Sequence, residues 1–200
     1  MAQEQDDRLS RVERMTLRMS VIQTAIAVTG FVVAIIALYA ALNEADAVRK
    51  QQQASVWPNL EFHRSYRGVP GSERLDVSVS NTGIGPAKIA LIEFFFDGAP
   101  LRNWDEAIAA FSTVDNPRYS HIGVGGRVLP PNGEFALVST TTEEINVETV
   151  IALRDAIDQG RLSGRICYCS VFDECWLLVS HSREASPVDQ CPKASLTNEF

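Results

Sequence analysis

VIQTAIAVTGFVVAIIALYAAL, residues 21–42, carries no charged residue; the nearest charges are Arg18 before it and Glu44 after it. As an α-helix it is about 33 Å long, enough to cross a hydrocarbon core of about 30 Å. It reads as one transmembrane helix. The rest of the chain is then a short arm, residues 1–20, and a soluble part placed on the opposite side of a lipid bilayer. A cleaved secretory signal is the competing reading. The apolar run is too long for a signal core, and the arm before it is long and mixed in sign, so an uncleaved anchor is expected.

Outward from that helix, the arm MAQEQDDRLSRVERMTLRMS is polar, with Leu9, Val12, Met15 and Met19 recurring at helical spacing. It reads as a solvated extension of the membrane helix. Glu4, Asp6, Asp7 and Glu13 weaken the alternative, a lipid-surface helix. Arg8, Arg11, Arg14 and Arg18 precede the span, whereas only Arg49 and Lys50 follow it before Arg64. That bias puts the N-terminus in the cytoplasm and the large domain outside; the reverse, a cytoplasmic domain, is the alternative. Within the span, Gln23, Ala27, Gly30, Ala34, Ala37 and Ala41 form a heptad-like seam of small residues with one amide. Small residues let helix backbones approach closely in lipid, so the seam is a candidate homo-oligomer contact. Residues 43–56 hold good helix formers and no Gly or Pro, and read as a helical stalk. Trp57-Pro58 ends it, because a residue before proline avoids the α region.

About 140 residues remain for one domain, residues 57–185, followed by a tail, residues 186–200. That length buries a core without help from metals or disulfides. Residues 57–200 hold 12 Lys and Arg against 19 Asp and Glu, a net −7. An acidic domain argues against nucleic acid and against anionic headgroups as partners. Leu75, Val77 and Val79 alternate with Asp76, Ser78 and Ser80, the pattern of a half-buried strand. Residues 89–96 are apolar at nearly every position and read as a central strand. Asp97-Gly98 signals a hairpin, and residues 135–139, 165–172 and 175–180 read as further strands. Asn103 caps a short helix with Asp105 and Glu106 in its first turn. Val147, Val150, Leu153 and Ile157 mark a second, closed by Gly160. The expected fold is one N-terminal transmembrane helix plus a mainly antiparallel, Ig-like β-sandwich of about seven strands with two short helices.

The ordered series QASVWPNLEF, VSNTGIGPAKI, DGAPLRNW, GGRVLPPNGE, YCSVFDECW and PVDQC, spread over residues 53–192, resembles an uncharacterised bacterial family with one membrane helix and a small β-rich domain. The resemblance implies a bacterial inner membrane protein and carries no activity with it. In the N-x-G-x-G-P-A block, Asn81, Gly83, Gly85 and Pro86 read as a structural turn. Its glycines supply positive φ or close approach, and its proline stiffens the next strand.

Chemistry is sparse. The three histidines are His63, His121 and His181, and no nucleophile elbow, phosphate loop, His-Glu-x-x-His or Cys-x-x-Cys occurs. No catalytic, cofactor or metal residue is expected. A zinc site on Cys167, Cys169, Cys175 and Cys191 has weak spacing. The expected disulfide is Cys175–Cys191, tying the tail to a hairpin end, with Cys169 as the alternative partner. The expected function is a non-enzymatic, membrane-anchored binding or assembly protein with an unknown protein partner. The alternatives are a ligand sensor or envelope-stress and defence component, and a hydrolase. A deep aromatic pocket would favour the sensor; flat faces over a filled core would favour assembly.

Overall fold

The computed structural model describes residues 2–69, 72–112, 117–141, 147–182, 184–195 and 200, with side chains from residue 13 onward. The chain divides into two compact units, Met1–Gln52 and Gln53–Phe200.

The first unit belongs to one helix, α1 (Ala2–Ala54). Arm, span and stalk are thus continuous, about 80 Å of helix at 1.5 Å per residue. Its stretch Glu13–Ala54 is long and apolar enough to cross a membrane. Val21, Phe31 and Ile36 are all more than 60 % exposed. In water that stripe would be costly; in lipid it is solvated. Thr24 and Thr29 donate their hydroxyls to the carbonyls of Ser20 and Ala25, at 2.9 and 2.8 Å, so the span's threonines satisfy themselves on the helix.

The second unit runs β1 (Leu60–Val69), β2 (Ser72–Asn81), β3 (Ala87–Phe96), β4 (Ala99–Pro100), α2 (Trp104–Ala109), β5 (Ser120–His121), β6 (Val128–Leu129), β7 (Glu134–Thr141), α3 (Val147–Asp158), β8 (Leu162–Cys169), β9 (Cys175–Val179) and β10 (Ser186–Val188). The strands form two antiparallel sheets, β1-β2-β7-β5 and β10-β9-β8-β3-β4, with β6 also on β3. Both inner faces feed one core: Leu60, Leu75, Val79 and Leu137 from the first sheet, Ile92, Phe94, Ile166 and Leu178 from the second. Of the ten strands described, four are short, two-residue β4, β5 and β6 and three-residue β10, which leaves six longer ones against the seven expected.

The sequence periods explain the layers. On β2, Leu75 and Val79 are fully buried while Ser80 faces outward, and its pairing with β7 has a bulge opposite Val77 and Ser78, where Leu137 is the extra residue. On β3, Leu91, Ile92, Glu93 and Phe94 are all buried, as a central strand requires. Tyr168 of β8 crosses the core, its hydroxyl accepting from the Leu60 N–H of β1 at 3.4 Å. Burial raises its pKa, an effect the Leu60 N–H partly offsets. Asp97 and Gly98 take positive φ (49° and 82°) to close the β3–β4 hairpin. Asn103 Oδ1 accepts from Glu106 N at 3.0 Å and caps α2, whose Trp104, Ala107 and Ile108 enter the core. Gly160, at φ 74°, terminates α3.

Two boundaries differ from the sequence reading. Strand β8 starts at Leu162 and ends at Cys169, three residues before the expected 165–172: Leu162 pairs with Phe96 at one end, and at the other the Ser170 hydroxyl accepts from the Phe172 and Glu174 N–H groups and holds the turn to β9. The described residues of the expected tail, 186–195 and 200, make contacts with the domain. Ser186–Val188 pairs with β9, Ser195 N donates to Glu93 at 2.5 Å, and Phe200 is 6 % exposed against Phe94 and Trp104.

Candidate functional site

Between α3 and strands of both sheets lies a cleft of about 430 Å³. Its floor is apolar: Phe62, Val77, Phe94, Trp104 and Leu162. His63, Arg64, Asp158, Ser163, Ser180 and His181 supply polar groups around it. One glycine makes the floor. A Cβ on Gly164 would come within 2.8 Å of the Phe94 ring and 3.4 Å of Phe62, so only glycine lets both rings lie on β8. An isolated glycine inside an apolar strand was the available sequence signal for such a close approach. The pattern of strands alone hid the cleft, because its floor residues also satisfy a core reading.

The polar groups are already engaged. Arg64 is ion-paired with Asp158. His63 Nε2 and Ser80 Oγ are 2.7 Å apart. His181 Nε2 lies 3.2 Å from the Ile157 carbonyl, and its Nδ1 lies 3.1 Å from Ser180 Oγ. A carbonyl only accepts, so Nε2 carries the proton and Nδ1 accepts from Ser180. This serine–histidine pair is one that sequence spacing did not suggest. Ser180 Oγ also accepts the Gly164 N–H at 3.0 Å, which ties down the oxygen and consumes the nearest backbone donor. His121 lies elsewhere, on β5, with its ring 5.5 Å from that of Tyr119.

Asn81, Gly83, Gly85 and Pro86 come together as a knot at the start of the domain. Asn81 is 1 % exposed and uses its whole amide: Oδ1 accepts from Asn59 N and Gly83 N, and Nδ2 donates to the carbonyls of Gly85 and Leu129. A Cβ on Gly83 would meet Trp57 O at 2.5 Å, and one on Gly85 would meet Val56 O at 1.7 Å. Neither glycine has positive φ. Close approach to residues 56–59 is what requires them. Among the seam residues Gln23, Ala27, Gly30, Ala34, Ala37 and Ala41, all are exposed on α1, and nothing lies within 4 Å of a Cβ built on Gly30.

The cysteine expectation is corrected. The bonds are Cys167–Cys191 and Cys169–Cys175, not Cys175–Cys191. Cys169 and Cys175 stand directly opposite in the β8–β9 register, with Cα atoms 4.0 Å apart, so each is the other's nearest partner. Cys191 is left to Cys167, two residues back on the same face of β8. The two bonds nearly touch: Cys169 Sγ is 3.8 Å from Cys191 Sγ.

A long apolar helix leading into a two-sheet antiparallel domain defines a helix-plus-β-sandwich protein. The chain belongs to the family described as a domain of unknown function, DUF8453, which matches residues 19–176. That match takes in the apolar span and ends within β9, before β10 and Cys191. A comparison with curated proteins finds no match.

Proposed function

We propose that this chain is a non-enzymatic, single-pass protein of a bacterial inner membrane, whose outward β-sandwich binds a small ligand with an apolar body and a hydrogen-bonding head. The aromatic-floored cleft carries the reading. Phe62 and the edges of the buried Phe94 and Trp104 rings line its apolar side, and His63, His181 and Ser163 line its polar side, where a ligand would have to compete for the hydrogen bonds that the histidines already make. Such a cleft favours ligand sensing over a purely assembling surface. The order β1-β2-β7-β5 with β9-β8-β3 follows the A-B-E-D and G-F-C arrangement of immunoglobulin sandwiches, which supports an Ig-like domain. The domain's net −7 argues against nucleic acid.

The hydrolase alternative now has a named pair, Ser180 and His181. Against it stands the Gly164 N–H on the serine oxygen, which lowers its nucleophilicity and commits that donor to the ground-state hydroxyl rather than to an oxyanion. The test is thermal unfolding of the detergent-solubilised full chain against a panel of small aryl and alkyl acids, alcohols and amides. A ligand that raises the melting temperature of wild type, and not of Phe62→Ala, supports the reading. No response across the panel counts against it. Turnover of aryl esters that vanishes in Ser180→Ala would favour the hydrolase instead.

A further inference from the structure

We infer that the paired disulfides are a thiol-exchange site. Electrons from a dithiol donor enter at Cys169–Cys175 and pass to Cys167–Cys191, moving the chain's anchor along β8. The juxtaposition is the first observation: Cys169 Sγ lies 3.8 Å from Cys191 Sγ, and Cys169, Cys175 and Cys191 offer sulfurs all within 4.8 Å of one another. The second is burial. Cys167 is 0 % exposed, while the other three are only half-buried. An outside thiolate therefore reaches Cys175 and cannot reach Cys167. The third is register: Lys88 of β3 stands opposite Cys169, with its ammonium ion-paired to Asp173 in the β8–β9 turn, so that cation is already neutralised and the exchange relies on proximity and burial.

The steps balance. A donor thiolate attacks Cys175 Sγ, the Cys169–Cys175 bond breaks, and Cys169 leaves as thiolate. The donor's second thiol then closes its own disulfide and releases Cys175 as a thiol. The Cys169 thiolate attacks Cys191 Sγ, a Cys169–Cys191 bond forms, and Cys167 leaves and takes a proton. One dithiol has been oxidised, and the protein holds one disulfide and two thiols, Cys167 and Cys175.

This exchange has a mechanical result. Cys191 changes its partner by two residues along β8, but its sulfur, already 3.8 Å from Cys169 Sγ, closes by only about 2 Å to form the new bond. The segment beyond it lies the other way along that strand: Ser195 Oγ accepts from Arg165 at 3.2 Å, and Ser195 N donates to the buried Glu93. Re-anchoring at Cys169 therefore bears on the contacts that Ser195 makes with Arg165 and Glu93.

The experiment is a stepwise titration of the solubilised full chain with dithiothreitol, rapid thiol alkylation and peptide mapping of the disulfides. The expected two-electron product carries Cys169–Cys191, with Cys167 and Cys175 alkylated. A two-electron product that keeps Cys167–Cys191 and alkylates Cys169 and Cys175 overturns the proposal. A rate comparison gives an independent check. In Cys169→Ser/Cys175→Ser, reduction of Cys167–Cys191 is expected to slow about tenfold or more, because only direct attack remains. Equal rates in the two folded proteins would equally overturn it.

Discussion

Asn81 shows how much one side chain can hold. It is buried, and four backbone groups from three segments depend on its amide. Asn81→Ala leaves these groups without partners in a site closed to water. The expected loss is roughly 3 kcal/mol or more, since each unsatisfied buried group costs about 1–3 kcal/mol; urea unfolding of the detergent-solubilised chain measures it. Asp76 offers a second test at this scale, and a pH-dependent one. Burial alone would raise its pKa, but the Ser139 hydroxyl at 2.6 Å and the Arg74 guanidinium at 2.9 Å outweigh it and hold the carboxyl below its usual range. A depressed carboxylate binds fewer protons folded than unfolded. Its contribution is therefore complete above the ordinary carboxylate pKa and disappears as pH falls through the folded one. Asp76→Asn is expected to cost roughly 2 kcal/mol at about pH 7. The gap from wild type should close as the pH is lowered below about 3. A gap independent of pH would show that the charge plays no part.

At the scale of elements, legibility followed from period and punctuation. Strand β2 was readable because its apolar residues alternate, β3 because they do not, and α2 because Asn103 precedes acidic residues. Strand β5 has two residues, too few to show any period, so it could not be seen; β4 and β6 are as short, but Asp97-Gly98 signals the hairpin to the first and Arg127-Val128-Leu129 reads as the second. The cysteine pairing failed for a related reason. It depends on register, which follows from where the β8–β9 turn falls, and the apolar run of 165–172 blurred that position. The cleft was invisible because core and pocket are lined by the same residue types; only Gly164 marked it. The helix seam remains a sequence-level expectation. Gly30→Leu or Ala34→Leu should weaken self-association in a membrane two-hybrid assay, while Val32→Leu, off the seam, should not. Equal losses from both classes would remove the seam as a contact.

For the molecule as a whole, the open question is the side of the membrane on which the domain lies. Two disulfides belong to an oxidising compartment, and the arginine bias before the span points the same way. Alkylation of native membranes without reductant should label none of the four cysteines, and labelling should appear only after reduction. A phosphatase active only outside the cytoplasm, fused after residue 200, should be active. Four freely labelled cysteines together with an inactive fusion would place the domain in the cytoplasm.

Phe200, β10 and Cys191 also set an order of events. Strand β3 pairs with residues of β8 that lie 66 to 81 positions later, and the ring that finishes the Phe94–Trp104 cluster comes from residue 200. During synthesis the first hairpin, β1–β2, has its partner at once, but the centre of the second sheet stays open until β8 emerges, and the aromatic cluster until Phe200 does. The nascent domain therefore waits with an apolar strand uncovered, and its closure is a late, long-range step. Quality control of this protein would act on that interval: a chain stalled before Cys191 presents an unfinished core and one unpaired thiol, Cys167, to whatever surveys the membrane surface.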